Sequence, residues 1–273
     1  MIIIYRFTMD FKSICIQVVD ICEKVGHFIL NERKHFDLNK VEYKALHDLV
    51  SYVDKESELR LVEHLYKVLP EAGFITEEKT KITIGENFNW IIDPLDGTTN
   101  YIHGLAPFCI SIALKFNDEI VVGVVYELNL NEMFYAWKDG KAMLNGSPIK
   151  VSETASIEHS LLATGFPYQD YSKLDSYIEV FKELMFNSRG LRRLGSAAAD
   201  LAYVACGRMD AFYEYGLNVW DVAAGSFIVE RAGGKISAFD FEKDWLFDKE
   251  IIASNNLIHN EIFQLINNRF KMK

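Results

Sequence analysis

Residues 89–116 read NWIIDPLDGTTNYIHGLAPFCISIALKF, and the rest of the chain is organised around them. The apolar run Trp90-Ile91-Ile92 predicts a strand running into Asp93. Pro94 and Leu95 follow, then Asp96-Gly97-Thr98-Thr99-Asn100, and a partly alternating apolar run returns over 108–116. Open sheets place ligand sites at strand ends of this kind. Two carboxylates three residues apart, with a stiff proline between them, can face one hard cation. Gly97 lets the backbone approach a ligand closely, and the N–H groups around Thr98 and Thr99 can cradle an anion. A tight Asp/Gly turn between two strands accounts for the same letters, so this stretch taken alone leaves both readings open.

Composition narrows the class. A chain of 273 residues with 49% apolar content can bury a full core in one or two domains, and 25% charged residues argue against disorder. With 29 basic and 39 acidic side chains the formal charge is −10. That weighs against direct nucleic-acid binding and against an anionic membrane partner, and it suits a site that concentrates cations. An acidic surface kept for solubility is equally compatible. Cys15, Cys22, Cys109 and Cys206 are scattered through apolar or small-residue runs without zinc spacing. A disulfide framework is therefore not expected, and a reducing, cytoplasmic compartment is. The opening MIIIYRF is too short for a secretion signal and shows no cleavage site, and no run approaches a membrane span. Residues 1–8 precede the first amphipathic pattern and are expected to be a poorly ordered extension or a start-site artefact.

From residue 10 the chain alternates patterns. Phe11, Ile14, Cys15, Val18, Cys22 and Val25 recur at helical spacing and predict a helix over 10–31. Residues 31–45 read as a loop or short strand. A short extended piece ends at Asp54, which is expected to N-cap a helix over 55–69 with Leu59, Val62, Leu65, Tyr66 and Leu69 inward. Capping and catalysis both remain open for Asp54. Phe74-Ile75 leads into the acid pair Glu77-Glu78, and strands over 120–126 and 132–137 continue an antiparallel meander. The text changes near residue 150, which divides the chain into an α+β domain over 1–150 and an α/β domain over 151–273. In the second part strands are expected over 160–164, 211–215, 235–239 and 250–253. Helices are expected over 174–185, 196–206, 222–232 (opened by Trp220-Asp221) and 259–269. Arg189, Arg192 and Arg193 form the clearest basic cluster, read as solvated charge or as a dimer or partner surface.

Glu77, Asp93, Asp96 and Asp221 are candidates for a site holding several Mg²⁺ ions, which bind carboxylates, waters and substrate phosphate oxygens. Two such ions can stabilise both the attacking and the leaving oxygen of a displacement. Spacing alone does not bring Asp221 to the others. The octet DPLDGTTN over 93–100 strongly resembles the first signature of the inositol monophosphatase family. WDVAAG over 220–225, running to Ala232-Gly233-Gly234, resembles the second, and FITEE over 74–78 resembles the acidic pair upstream. The resemblance covers about residues 10–267, and the stretch 190–215 is especially similar to the bacterial members.

The resemblance implies a layered α/β/α/β/α sandwich of the inositol monophosphatase and fructose-1,6-bisphosphatase type, Mg²⁺-dependent hydrolysis of a phosphate monoester, a homodimer and lithium sensitivity. Carried over by position, it implies that Glu77, Asp93, the Leu95 carbonyl, Asp96 and Asp221 hold metal. The Gly97 and Thr98 N–H groups would bind phosphate, while Asp54, Thr98 and Glu77 would orient the attacking water. Ser196, Ala197 and Glu214 would face the polyol. Water would attack phosphorus directly and in line, with positioning and charge neutralisation dominating the acceleration. His103 is the one histidine in the motifs and is expected to pack a loop rather than act as an acid. Inositol 1-phosphate is the leading substrate. Fructose 1,6-bisphosphate and 3′-phosphoadenosine nucleotides are alternatives, and Thr99-Asn100 in place of Lys-Glu favours the inositol branch. A non-enzymatic alternative is a protein that associates with the transcription machinery.

Overall fold

The computed structural model describes residues 9–35, 41–45, 48–168 and 170–271. The expectation for residues 1–8, and part of that for 31–45, lies outside them. Helix α1 (Phe11–Arg33) begins where Asp10 accepts a hydrogen bond from the Ser13 N–H at 3.1 Å, and it buries the stripe Ile14, Cys15, Val18, Cys22 and Val25. A hairpin of β1 (Val41–Ala45) and β2 (Asp48–Ser51) leads into α2 (Tyr52–Val68). This helix starts earlier than its pattern suggests. Ser51 is the N-cap, and its hydroxyl accepts from the Val53 N–H at 3.1 Å. Asp54 sits at the third helical position and closes a capping box by accepting from the Ser51 N–H at 2.8 Å. The buried stripe includes Val53, Ser57, Glu58, Leu61, Val62 and Leu65, while Leu59 and Tyr66 are about half exposed, contrary to expectation: the inward face is partly polar, with Glu58 accepting from the Glu78 and Thr80 N–H groups.

The next strands are β3 (Gly73–Thr76), β4 (Phe88–Asp96), β5 (Cys109–Phe116), β6 (Glu119–Glu127) and β7 (Glu132–Trp137), followed by the short β8 (Met143–Leu144) and β9 (Ser147–Pro148). Among the described residues they form a seven-stranded sheet in chain order, antiparallel except for the β3–β4 pair. Between β4 and β5 runs α3 (Thr98–His103), whose last residue, His103, is exposed rather than packed. A second, five-stranded sheet comes from β10 (Leu161–Thr164), β11 (Gly190–Arg192), β12 (Ala211–Tyr215), β13 (Lys235–Ser237) and β14 (Glu250–Ser254). Its order is β11-β10-β12-β14-β13. Strand β11 falls where only the approach to a helix is expected, and β13 stops short because Ala238 and Phe239 leave the ladder for buried positions.

The remaining helices are α4 (Leu174–Asn187), α5 (Ala197–Ala205), α6 (Val219–Arg231) and α7 (His259–Lys271). Helices α1 and α2 cover one face of the large sheet, α5 and α6 fill the space between the sheets, and α4 and α7 cover the outer face of the small sheet. The order of layers is the α/β/α/β/α sandwich. The middle layer is nearly continuously apolar because it is covered on both sides. Small residues set its spacing: a Cβ at Gly123 would lie 2.8 Å from the Ala224 carbonyl oxygen, and one at Gly225 would lie 2.6 Å from Leu201.

Candidate active site

Residues three apart on a regular strand point to opposite faces, yet Asp93 and Asp96 act as neighbours. The register explains this. Asp93 pairs with Ser111 and Asp96 with Cys109, so Pro94 and Leu95 together oppose the single residue Ile110. This one-residue bulge re-aims the strand end, and it is a place where a proline without an N–H is tolerated. The Leu95 N–H that the bulge frees donates to Asp93 Oδ1 at 2.9 Å. The Leu95 carbonyl in turn accepts from Thr98 Oγ1 at 3.0 Å. Gly97 follows at φ 91°, where a Cβ would meet the Pro107 carbonyl oxygen at 2.9 Å.

Three tertiary links bring distant segments to this strand end. From α2, Asp54 Oδ1 accepts from the Thr98 hydroxyl at 2.9 Å while Oδ2 stays with Ser51. One side chain thus closes the capping box, with Ser51 rather than Asp54 as the N-cap, and also reaches Thr98 at the strand end. From α5, the N-cap Ser196 donates to Asp96 Oδ2 at 2.6 Å, and the Ala198 N–H adds a second bond at 2.7 Å. From α6, the Trp220 carbonyl accepts from Ser111 Oγ at 3.2 Å, which anchors the first turn beside β5. Helix α6 begins at Val219, so Asp221 is its third residue rather than its cap, and its carboxylate accepts from the Asn218 N–H at 2.7 Å. Asn100 ties the loops together by donating to the Pro107 and Leu194 carbonyls, each at 2.8 Å.

These links shape a cavity of about 540 Å³. Glu77, Asp96 and Asp221 line it together with Ser196, Ala197 and Glu214. Asp54, Asp93 and Leu95 lie behind its wall, almost fully buried, and Gly97 and Thr98 are partly exposed beside it. Two further lining residues escape sequence reasoning. Asp200 of α5 is buried in a helix that reads as a small-residue packing element. Arg193, expected in a surface cluster, lines the cavity with its guanidinium 5.8 Å from the Phe166 ring and 5.4 Å from the Tyr168 ring. The signal for both was their position just before and within the helix that Ser196 caps.

The electrostatics are those of acids forced together. Asp93 is held well above the usual carboxylate range, by burial first and then by Glu77, Asp96 and Asp221. Asp96 is pushed up to about 6 by burial, against the Ser196 and Ala198 donors and the Arg193 charge. Burial also raises Asp54, opposed by its hydrogen bonds from Ser51 and Thr98. A cation among these groups would relieve the repulsion. The donors Glu77, Asp93, Asp96, Asp221 and the Leu95 carbonyl are all hard oxygens, which suit Mg²⁺. Among the described residues no three His, Cys, Asp or Glu side chains already close into a metal cage.

The comparisons with known proteins agree with this geometry. A family model described as the inositol monophosphatase family matches residues 12–270. A protein of Pseudomonas aeruginosa named Nus factor SuhB is 40% identical over 235 residues, covering 84% of this chain and 87% of that one. An inositol-1-monophosphatase of Synechocystis sp. is 43% identical over 220 residues, covering 80% and 77%. Among solved structures, the inositol monophosphatase from Anabaena (Nostoc) sp. superposes with a TM-score of 0.85 at 35% identity, covering 95% of this chain and 97% of that one. The extragenic suppressor protein suhB from Bartonella henselae superposes at 0.87, also at 35% identity, covering 93% and 98%. With the bulged acidic strand end, the five layers and the match along nearly its whole length, the chain belongs to the inositol monophosphatase family.

Proposed function

We propose that this chain is a Mg²⁺-dependent phosphomonoesterase that releases inositol and phosphate from inositol 1-phosphate, as a cytoplasmic, lithium-sensitive homodimer. The observation that carries the reading is the single cavity in which Glu77, Asp96 and Asp221 meet Glu214, with Asp93 directly behind. Glu77, Asp93, the Leu95 carbonyl, Asp96 and Asp221 would hold Mg²⁺. When bound, Mg²⁺ neutralises phosphate charge and makes water a better nucleophile. The division of labour follows a boundary near residue 150: residues 1–150 carry the main metal motif, and 151–273 supply Asp221 and the polyol-facing wall.

The chain's own groups position the reaction. The Gly97 and Thr98 N–H groups hold the phosphate at the start of α3. The Thr98 hydroxyl, fixed between Asp54 and the Leu95 carbonyl, orients the attacking water together with Glu77. The water oxygen bonds to phosphorus in line as the ester P–O bond breaks. The attacking water gives up a proton to solvent as its oxygen bonds to phosphorus, the leaving oxygen takes one up from a solvent water and departs as the alcohol, and no phospho-enzyme forms. Ser196 and Ala197 border the polyol, and Glu214 accepts its hydroxyl hydrogens.

Initial rates with Mg²⁺ on inositol 1-phosphate, fructose 1,6-bisphosphate, a 3′-phosphoadenosine nucleotide and a small aryl phosphate test the assignment. The highest kcat/KM is expected on inositol 1-phosphate. A higher value on another ester would reassign the substrate, and no hydrolysis of any would overturn the reading. A second reading, a partner of the transcription machinery, is favoured by relatives named Nus factor SuhB. Loss of biological function in Asp96→Asn would weigh against a role in binding alone.

A further inference from the structure

Resting on the phosphatase reading, we infer that Asp200 is a specificity-determining residue that takes a second hydroxyl of the substrate, so the cavity selects cyclic polyol phosphates with at least two hydroxyls remote from the ester. Asp200 is 1% exposed, lines the same cavity as Glu214, and has an Oδ1 with no hydrogen-bond partner among the described residues. An orphaned buried polar atom destabilises a fold unless a water or a ligand satisfies it, and the place of Asp200 on the cavity wall puts a ligand hydroxyl within reach of that role. On the metal side Asp93, Asp96 and Asp221 accept from protein N–H or hydroxyl donors, whereas among the described residues neither Asp200 nor Glu214 receives one.

The surroundings are shaped for these two groups. Gly165 follows β10 directly against Glu214, where a Cβ would lie 2.0 Å from a carboxylate oxygen. The strand end is thus bare so that the carboxylate can lie across it. Asp200 is held above the usual carboxylate range by burial and by Glu214 and Asp96, with Arg193 opposing. A carboxyl held towards its neutral form both donates and accepts, as a sugar hydroxyl does. Phe166, Tyr168 and Leu217 supply apolar cover for the ring's carbon face. A polyol that offered one hydroxyl to Glu214 and none to Asp200 would leave Oδ1 unsatisfied.

The test compares inositol 1-phosphate with a small aryl phosphate that has no hydroxyls. Asp200→Leu preserves size and removes every hydrogen bond. Its ratio of kcat/KM, polyol over aryl, should fall about tenfold, with the aryl rate unchanged. Parallel losses on both substrates, or an unchanged ratio, would overturn the inference. If Asp200→Leu melts far below wild type, Asp200→Asn carries the test, with a ratio shift of about threefold expected and an unchanged ratio contradicting. Wild type that cleaves the aryl but not the polyol ester would sink this inference and leave the phosphatase reading standing. Wild type that cleaves neither would sink the phosphatase reading. Calorimetric binding of free inositol then decides for Asp200: weaker binding to Asp200→Leu supports the contact, and equal or absent binding overturns it.

Discussion

Asp96 and Glu214 line the same cavity but are held in opposite ways. Asp96 is gripped by the Ser196 hydroxyl and the Ala198 N–H, as Asp54 is by Ser51 and Thr98, Asp93 by the Leu95 N–H and Asp221 by the Asn218 N–H. Among the described residues, Glu214 and its neighbour Asp200 have no such donors. Gripped acids keep one geometry whatever occupies the cavity, which suits groups that must hold a cation in a fixed place. Acids without donors keep their hydrogen-bonding capacity for a ligand, which suits recognition. On the proposed reading, the first set would act on the phosphoryl group common to all esters, and the second would read the part that differs.

This contrast orders the expected effects. Chelation should abolish hydrolysis of every phosphate ester, because Glu77, Asp93, Asp96 and Asp221 then face one another without compensation. Mg²⁺ should restore the rate, and circular dichroism should show the fold retained throughout. Glu214→Gln comes next. Loss of a hydrogen bond to a charged group should reduce kcat/KM on inositol 1-phosphate about 10- to 150-fold relative to an aryl phosphate. Equal losses on both would assign Glu214 to structure rather than recognition. Ser196→Ala removes a donor to Asp96 and the cap of α5 at once. Rates on both substrates should fall together by about tenfold, and stability by about 0.5–2 kcal/mol. A selective loss on the polyol would move Ser196 to the recognition side.

The smallest effect concerns pH. Asp96 stands at about 6 in the metal-free fold, above an ordinary value of about 3.9 when unfolded. A raised folded value means that the native state binds the proton more tightly. The resulting stabilisation is full below about pH 4 and is lost as pH rises to about 6. Without Mg²⁺, the melting temperature of wild type relative to Asp96→Asn should therefore decline across that window and then level. A difference independent of pH would remove the titration of Asp96 from the account.

Much of the metal side was legible in the sequence because it is local. The acids, proline and glycine of residues 93–97 lie within one turn, and the capping box could have been found from Ser51-x-x-Asp54. The bulge was not legible, since it depends on how β4 registers against β5. The stripe of α2 was not legible because its inward face is partly polar: Ser57 and Glu58 are buried, Glu58 by accepting from the Glu78 and Thr80 N–H groups, whereas an apolar pattern selects Leu59 and Tyr66. The recognition side was harder still. Asp200 sits among alanines and reads as surface or packing until the second sheet is placed behind α5, and Arg193 reads as solvated charge until Phe166 and Tyr168 are brought beside it.

On the proposed reading, Asp221 joins the second half of the chain to the strand end that would hold the metal. Asp221→Asn tests it directly, because the amide can still accept from the Asn218 N–H and keep α6 in place, but it lacks the negative charge that a hard cation prefers. The measurement is a Mg²⁺ titration of initial rates on inositol 1-phosphate and on an aryl phosphate, beside melts of the Mg²⁺-free protein. The account predicts nearly unchanged melting, a much higher Mg²⁺ requirement and a large, equal fall in turnover on both substrates. Unchanged Mg²⁺ dependence and turnover would contradict it and leave Asp221 as a helix-capping residue.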